Sequence, residues 1–362
     1  MPHNVTMALA CLAGLATTAL AGHVQSLNFL GQDTFPTNTS VLGTNMGGLS
    51  GITYDAANAR YHSIADDRSQ INPARFYTLN LDLTGNTFGP GRTTFTGVTT
   101  LLQPGGLPFP NAGIDPEGIA LAPNGDLWIS SEGDANALQN PFVNRFSIAG
   151  QQNFALPIPA KFNASAGGTG IRNNLAFETL TISPSGSSLF TATENALKQD
   201  GPAAALGVGT NSRILRFDTA INTPAQEFVY QAGPVIDPPV PAGSFTTNGL
   251  VDMLALDDTT FIAMERSFSV GVGNRIRLYE VSLTGATDVS GQDPLGVFTP
   301  VTKTLLLDLD VLGITLDNVE GLTFGPDLTD GRKSLILVSD NNFSATQFTQ
   351  FLAFGVTIVP AP

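Results

Sequence analysis

The chain has one cysteine and three histidines in 362 residues. Cys11 falls in a segment read below as a leader, so the remaining chain has no thiol, which excludes disulfides and thiolate metal sites. His23 and His62 are the histidines left, and that scarcity argues against a histidine-nucleophile phosphatase. Lysine is equally rare: Lys161, Lys198, Lys303 and Lys333 are all there is. Lysine plus arginine number 16 against 30 aspartates and glutamates, for a net charge of -14. A chain this poor in cations is not built for nucleic acid, whose phosphates are bound by lysine and arginine excess. There is no Gly-x-Ser-x-Gly elbow, no phosphate-cradling Walker loop and no dinucleotide fingerprint. If the protein is an enzyme, a metal-activated water with a carboxylate base is the remaining route. His62 could serve as a base, although a lone histidine in a strand is more often structural.

Long helical heptads are also missing. Glycine (38), proline (24), threonine and asparagine are plentiful instead, a composition of short strands and many turns. Thr6 to Leu20 is small and apolar, and Ala19-Leu20-Ala21 fits an A-x-A cleavage site before Gly22. Residues 1–21 are therefore read as a signal peptide, although the n-region lacks Lys and Arg. The stretch is too short for a comfortable membrane span, and a lipoprotein reading around Cys11 is poor. Residues 22–356 are expected to form one domain and 357–362 a tail. Val359-Pro360-Ala361-Pro362 resembles the start of a C-terminal sorting signal without its apolar span. The mature chain is expected to be a monomer with no membrane span, secreted or held in the periplasm or cell envelope.

Within that domain one unit recurs. Its clearest copy is Asp115-Pro116-Glu117-Gly118-Ile119-Ala120-Leu121, continued by Leu127-Trp128-Ile129-Ser130-Ser131-Glu132 and Asn144-Arg145-Phe146. Each copy has an anchor residue before a first apolar run, an acid ending the second run and, in four copies, an arginine opening the third. The anchors are Ser50, Glu117, Glu178, Asp252 and Glu320, spaced 61 to 74 residues apart. Three short apolar runs, with room for a fourth, make a four-stranded antiparallel unit. Such units repeated around a ring make a β-propeller. Five repeats are visible, and a sixth, degenerate blade built from both termini is left open.

In an antiparallel meander the start of the first strand, the end of the second and the start of the third share one edge. The anchors should thus form an inner ring, with a second ring of Asp66 (with Asp67), Glu132, Glu194, Glu265 and Asp340. Outside it would lie Arg75, Arg145, Arg213 and Arg275, with Gln347 in the fifth unit. Carboxylates around a narrow axis repel each other, by about 4 kcal/mol for a pair 4 Å apart at an effective dielectric of ~20. A hard divalent cation held by Glu117, Glu178, Asp252 and Glu320 would offset this, and oxygen-only ligands favour Ca²⁺ or Mg²⁺. On the plainer reading, the second acids and arginines are structural pairs inside each blade: Glu132–Arg145, Glu194–Arg213 and Glu265–Arg275.

These residues resemble the phytase-like family of exported bacterial proteins, also called esterase-like activity of phytase. The resemblance rests on Asp115 to Gly118, Trp128 to Glu132, Asn174 to Glu178, Thr191 to Glu194 and Arg213. Its most specific part is C-terminal: Asp317-Asn318-Val319-Glu320-Gly321-Leu322, Asp330-Gly331-Arg332 and Leu337 to Phe343. It covers roughly residues 45 to 355 and implies a hydrolase of phosphate or carboxylic esters that uses calcium. Phytate itself would need cations near the site, and no lysine lies in the repeated motifs. Two other readings stand beside the hydrolase: a non-catalytic propeller that binds a ligand or envelope partner, and a lactonase-like calcium propeller.

Overall fold

The computed structural model describes residues 22–360, an all-β, five-bladed propeller of four-stranded antiparallel sheets. The expected signal peptide, residues 1–21, lies outside the described residues. Strand β1 (Gly22–Pro36) comes first, followed by a small hairpin of β2 (Ser40–Val41) and β3 (Thr44–Asn45). Blade 1 is β4 (Leu49–Asp55), β5 (Arg60–Ala65), β6 (Arg75–Leu81) and β7 (Thr93–Thr100). Blade 2 is β8 (Pro116–Leu121), β9 (Leu127–Ser131), β10 (Phe142–Phe146) and β11 (Gln152–Ala155). Blade 3 is β12 (Phe177–Ile182), β13 (Ser188–Thr193), β14 (Thr210–Asp218) and β15 (Thr223–Ala232). Blade 4 is β16 (Thr246–Ala255), β17 (Thr260–Ser269), β18 (Gly273–Ser282) and β19 (Thr302–Asp308).

Blade 5 joins both ends of the chain. It contains β20 (Asn318–Asp327), β21 (Lys333–Asp340) and β22 (Phe348–Pro360), and its outermost strand is β1, paired antiparallel with β22. The termini therefore complete the fifth blade and build no sixth one. β22 runs to Pro360, which pairs with Gly22, so residues 357–360 belong to this sheet. A strand from one terminus hydrogen-bonded to a strand from the other closes the ring and removes an open sheet edge.

Alternation along the strands puts one face of each blade against the next. Five buried apolar clusters result, one for each junction between blades. Val251, Ile262, Leu322 and Leu337 join blades 4 and 5, and Trp128, Phe177, Leu189 and Phe217 join blades 2 and 3. Phe190, Leu250 and Phe261 join blades 3 and 4; Leu49, Tyr77 and Phe351 join blades 5 and 1; Phe76, Ile119 and Phe146 join blades 1 and 2. Each large side chain so buried contributes about 1.5–3 kcal/mol, which is how a ring with no disulfide holds.

Tight turns such as Pro123-Asn124-Gly125 link the first and second strands, with Gly125 at φ 86°. At the opposite end of the blades the first strand carries a repeated irregularity. Pairing in blade 1 runs Leu49↔Ala65 then Gly51↔Ile64, so Ser50 bulges out. Glu178 is skipped likewise in blade 3, Val251 in blade 4 and Glu320 in blade 5. In blade 2 the pairing passes from Pro116↔Ser131 to Ile119↔Ile129, with Glu117 and Gly118 facing a single residue. A β-bulge re-aims a side chain, and here it turns one residue per blade toward the axis. The glycine that follows lets neighbouring inner strands come close. A Cβ on Gly118 would sit 2.6 Å from Leu180 Cβ, and one on Gly51 2.6 Å from the Glu117 carbonyl oxygen.

Candidate functional site

The bulge positions and the residues that end the second strands meet on one face. Glu117, Glu178 and Glu320 come from the bulges, and Asp66, Glu132, Glu194 and Asp340 follow β5, β9, β13 and β21. Asp115, two residues before a bulge, joins them. These side chains are buried or nearly so, Glu132 and Glu194 at 1% exposure. Two guanidiniums face these eight carboxyl groups. Arg266 Nη2 lies 3.0 Å from Glu320 Oε1 and 3.4 Å from Glu194 Oε1. Arg68 Nη2 lies 2.6 Å from Asp115 Oδ2.

Burial raises the pKa of every one of the eight, and neighbouring carboxylates raise most of them further. Glu132 is pushed up to about 7 and Glu320 to about 8, the latter despite the opposing pull of Arg266. Asp66 lies beside Asp115, and Glu132 beside Glu178. Carboxylates packed this closely and buried ionise together only at a cost, so without a cation the face stores protons.

Part of the cluster is under-supplied with donors. Asp66 Oδ1, Asp115 Oδ1 and Glu132 Oε2 are buried without a hydrogen-bond partner. One ligand oxygen from each of Asp66, Asp115 and Glu117 lies within 4.8 Å of the others. Buried, unpartnered, oxygen-only donors at this spacing fit a hard divalent cation.

Four of the five expected anchors, Ser50, Glu117, Glu178 and Glu320, stand at the bulges, and the Ser50 hydroxyl donates to the Glu117 carbonyl oxygen at 2.9 Å. Blade 4 differs by one residue. Its bulge is Val251, and Asp252 occupies the position of Gly51, Gly118 and Gly321. The Asp252 carboxylate accepts from the amides of Met253 and Leu322, each at 2.8 Å, and from that of Leu180. It ties inner strands together and takes no part in the acid cluster. The same slip moves the second ring. Glu265 pairs with Leu250, so the residue equivalent to Glu132 is Arg266. Glu265 points away from the axis, to the Tyr230 hydroxyl at 2.7 Å and to Lys303. A one-residue shift in a strand turns a side chain to the other face, so blade 4 presents valine and arginine where other blades present acids.

The expected pairs Glu132–Arg145, Glu194–Arg213 and Glu265–Arg275 do not form, whereas in blade 1 Arg75 does pair with Asp67 of the second ring. Arg145 stacks on Trp128 and Phe154 and reaches Asp126 at 3.4 Å, far from Glu132 along β10. Arg213 is fully buried between Asp200 at 2.6 Å and Glu227 at 2.8 Å. Arg275 pairs with Asp237 at 2.6 Å and with Asp310. Arg75 bonds to Asp67 at 2.7 Å, and Asp67 also accepts three loop amides, so that pair organises the loop before β6. Gln347 donates to Asp317. His62 is buried in blade 1 beside Thr78, and burial lowers its pKa to about 4, so it is neutral at ordinary pH.

Asp115 lies inside the quoted copy of the repeat, and Arg68 and Arg266 directly follow the second acids Asp67 and Glu265, where an acid-to-acid alignment passes over them. Aligning on the first apolar residue after the bulge (Ile52, Ile119, Leu180, Met253 and Leu322) would have placed Val251 and Arg266 correctly.

A cavity of about 470 Å³ opens on this same face. Glu194, Arg266 and Glu320 line it on the side of the cluster, and Phe245, Phe268 and Phe348 supply aromatic wall.

Across 91% of this chain and 97% of its own, an endo-arabinase from Bacteroides thetaiotaomicron matches at 14% identity with a TM-score of 0.47. The periplasmic gluconolactonase of Pseudomonas aeruginosa matches across 93% of this chain and all of its own, at 11% identity and a TM-score of 0.36. An uncharacterized secreted protein of Arthroderma benhamiae is 29% identical over 192 residues, 44% of this chain and 36% of that relative. The aligned stretch is thus about a third of that relative's length. The sequence model of the phytase-like family, described as esterase-like activity of phytase, matches residues 44–343. That span begins just before β4 and ends beyond Asp340, taking in the bulge and the end of the second strand of every blade; the chain belongs to the phytase-like family.

Proposed function

We propose that the acidic face binds Ca²⁺ through Asp66, Asp115 and Glu117, and that the protein hydrolyses esters in a cation-dependent manner. The observation that carries this reading is the buried carboxylate trio with oxygens within 4.8 Å of one another and an Asp115 Oδ1 that has no donor. A bound divalent cation would supply Lewis acidity to a substrate oxygen or to water. Around it this chain's own residues do the rest. Arg68 holds Asp115 in place at 2.6 Å. Arg266 keeps Glu194 and Glu320 at the cavity wall, where Glu320 can hold or release a proton near neutral pH. The cavity removes substrate from bulk water, which strengthens every charge interaction within it. Family membership supports a hydrolase of this kind, and the similarity to a secreted protein of Arthroderma benhamiae supports export.

The assignment differs from the ring of Glu117, Glu178, Asp252 and Glu320 expected from sequence, because Asp252 is committed to backbone amides. Calorimetric titration with Ca²⁺, followed by turnover of p-nitrophenyl butyrate and p-nitrophenyl phosphate with and without chelator, tests the proposal. Saturable calcium binding lost in Asp115→Asn, with turnover lost in EGTA, is the expected result. Turnover indifferent to chelator would overturn it. The raised pKa values of the buried carboxyls, which let them stay uncharged without any cation, favour one alternative, a non-catalytic propeller whose acids are structural. In that case Glu117→Gln alters stability and no ester is turned over.

A further inference from the structure

We infer that the cavity between blades 4 and 5 takes an uncharged carboxylic ester with an aryl or alkyl group, and turns away phosphomonoesters. This inference rests on the hydrolase reading above and names its substrate class. Among the described lining residues the cations reduce to Arg266. Its guanidinium is already held by Glu194 and Glu320. Asp317, also in the lining, adds a further carboxylate, bonded to the amides of Asn318 at 2.7 Å and Phe348 at 2.8 Å. An incoming phosphomonoester dianion would meet three carboxyl groups and a single guanidinium, whose Nη2 is shared by two of them and whose Nε is buried. Phosphate sites need the reverse, an arginine fork or lysine aimed at the anion.

What the cavity does offer suits a neutral ligand. Phe245 and Phe268 lie with ring centroids 6.3 Å apart, and Phe245 is 66% exposed, an apolar surface open to a ligand. Asn274 and Thr247 add neutral donors and acceptors beside them. About 470 Å³ is within the range of small-molecule sites and large enough for a short acyl chain with an aromatic alcohol. In the hydrolysis water's oxygen bonds to the acyl carbon, the acyl C–O bond breaks, and one water proton ends on the departing alcohol, leaving acid and alcohol.

Binding and turnover can be separated. N-(4-nitrophenyl)butanamide serves as an uncharged, slowly reacting probe and p-nitrophenyl phosphate as the anionic one. Both are titrated in EGTA by saturation-transfer NMR, so that no cation can capture the phosphate. The expected result is at least tenfold tighter binding of the amide, weakened about tenfold by Phe268→Ala. Thr346→Lys, at an exposed position in the lining, should improve phosphate binding and leave the amide unchanged. Equal or tighter phosphate binding by the unmodified protein overturns the inference, as does failure of the amide to bind. Amide binding without turnover of p-nitrophenyl butyrate upholds the ligand class and removes the hydrolase reading.

Discussion

The acidic face has two unlike halves. On the side of blades 1 and 2, Asp66, Asp115 and Glu117 converge with buried oxygens that lack donors. On the side of blades 3 to 5, Glu194 and Glu320 share Arg266 beside an open cavity. Both halves grow from one blade pattern. The difference comes from blade 4, where a one-residue offset brings a guanidinium in place of a carboxylate. One half has Arg68 on a single Asp115 oxygen and leaves other oxygens without donors, while the other shares Arg266 between two acids. A ring with an acid in every blade would spread its charge evenly. On the function proposed above, the first half is the cation side and the second the ligand side.

The largest effect should come from removing the built-in cation. Arg266→Met leaves Glu194 and Glu320 buried without their partner, and breaking a buried ion pair in this way costs about 3–5 kcal/mol. Urea denaturation at pH 9 should show that loss, and much of it should return at pH 6, where Glu320 holds its proton. A variant as stable as the parent at pH 9 would mean that the halves do not differ as described.

Next in size is the response to pH without calcium. Glu132 and Glu320 have folded-state pKa values near 7 and 8, against 4.5 for the ordinary group. Below pH 4.5 folded and unfolded chains both hold these protons. As pH rises through 7 and 8 the folded face must give up protons the unfolded chain has already released. The carboxyl contribution to stability is thus full in acid and lost as pH rises, by a few kcal/mol in sum. His62 acts in the opposite sense: its pKa falls from 6.5 to about 4 on folding, so its contribution is lost as pH drops between those values. The eight acids should outweigh it. Urea midpoints measured in EGTA should fall from pH 5 to pH 8, and a flat profile would count against the proton-storing face.

Calcium should flatten that profile from the blade 1–2 side alone. Glu117→Gln is expected to weaken calcium affinity at least tenfold, about 1.4 kcal/mol, and to raise stability in EGTA by removing a repelled charge. Calorimetry and thermal melts read the two effects. Calcium binding that survives Glu117→Gln but disappears in Glu320→Gln would put the cation in the wrong half. The smallest effect belongs to Arg145, partly exposed and remote from both halves. Arg145→Ala should cost under about 1 kcal/mol and leave calcium binding untouched.

Much of this architecture is legible without coordinates. Apolar runs of strand length, turn signals such as Pro123-Asn124-Gly125, and anchors recurring at a near-constant spacing specify the blades. Antiparallel geometry then places their acids on one face. Side-chain direction at a bulge is another matter. Val251 and Asp252 are neighbours in sequence, and no local propensity says which of them the extra residue turns toward the axis. The partners of the arginines are hidden for a related reason. Sequence shows that Arg145 opens a third strand, whereas its partner depends on which end of β10 it occupies and on the aromatic faces of Trp128 and Phe154.

Sequence by itself thus determined the repeating blade, the acidic character of one face and the lack of any thiol or lysine chemistry there. Those follow from residue type and period, which are local. Tertiary structure alone decided that β1 from the N-terminus completes blade 5, that Arg266 enters the acid cluster while Asp252 and Glu265 leave it, and that Asp115 joins Asp66 and Glu117. Each of these depends on register between strands distant in the chain, and register is set by the packing of whole blades around the axis.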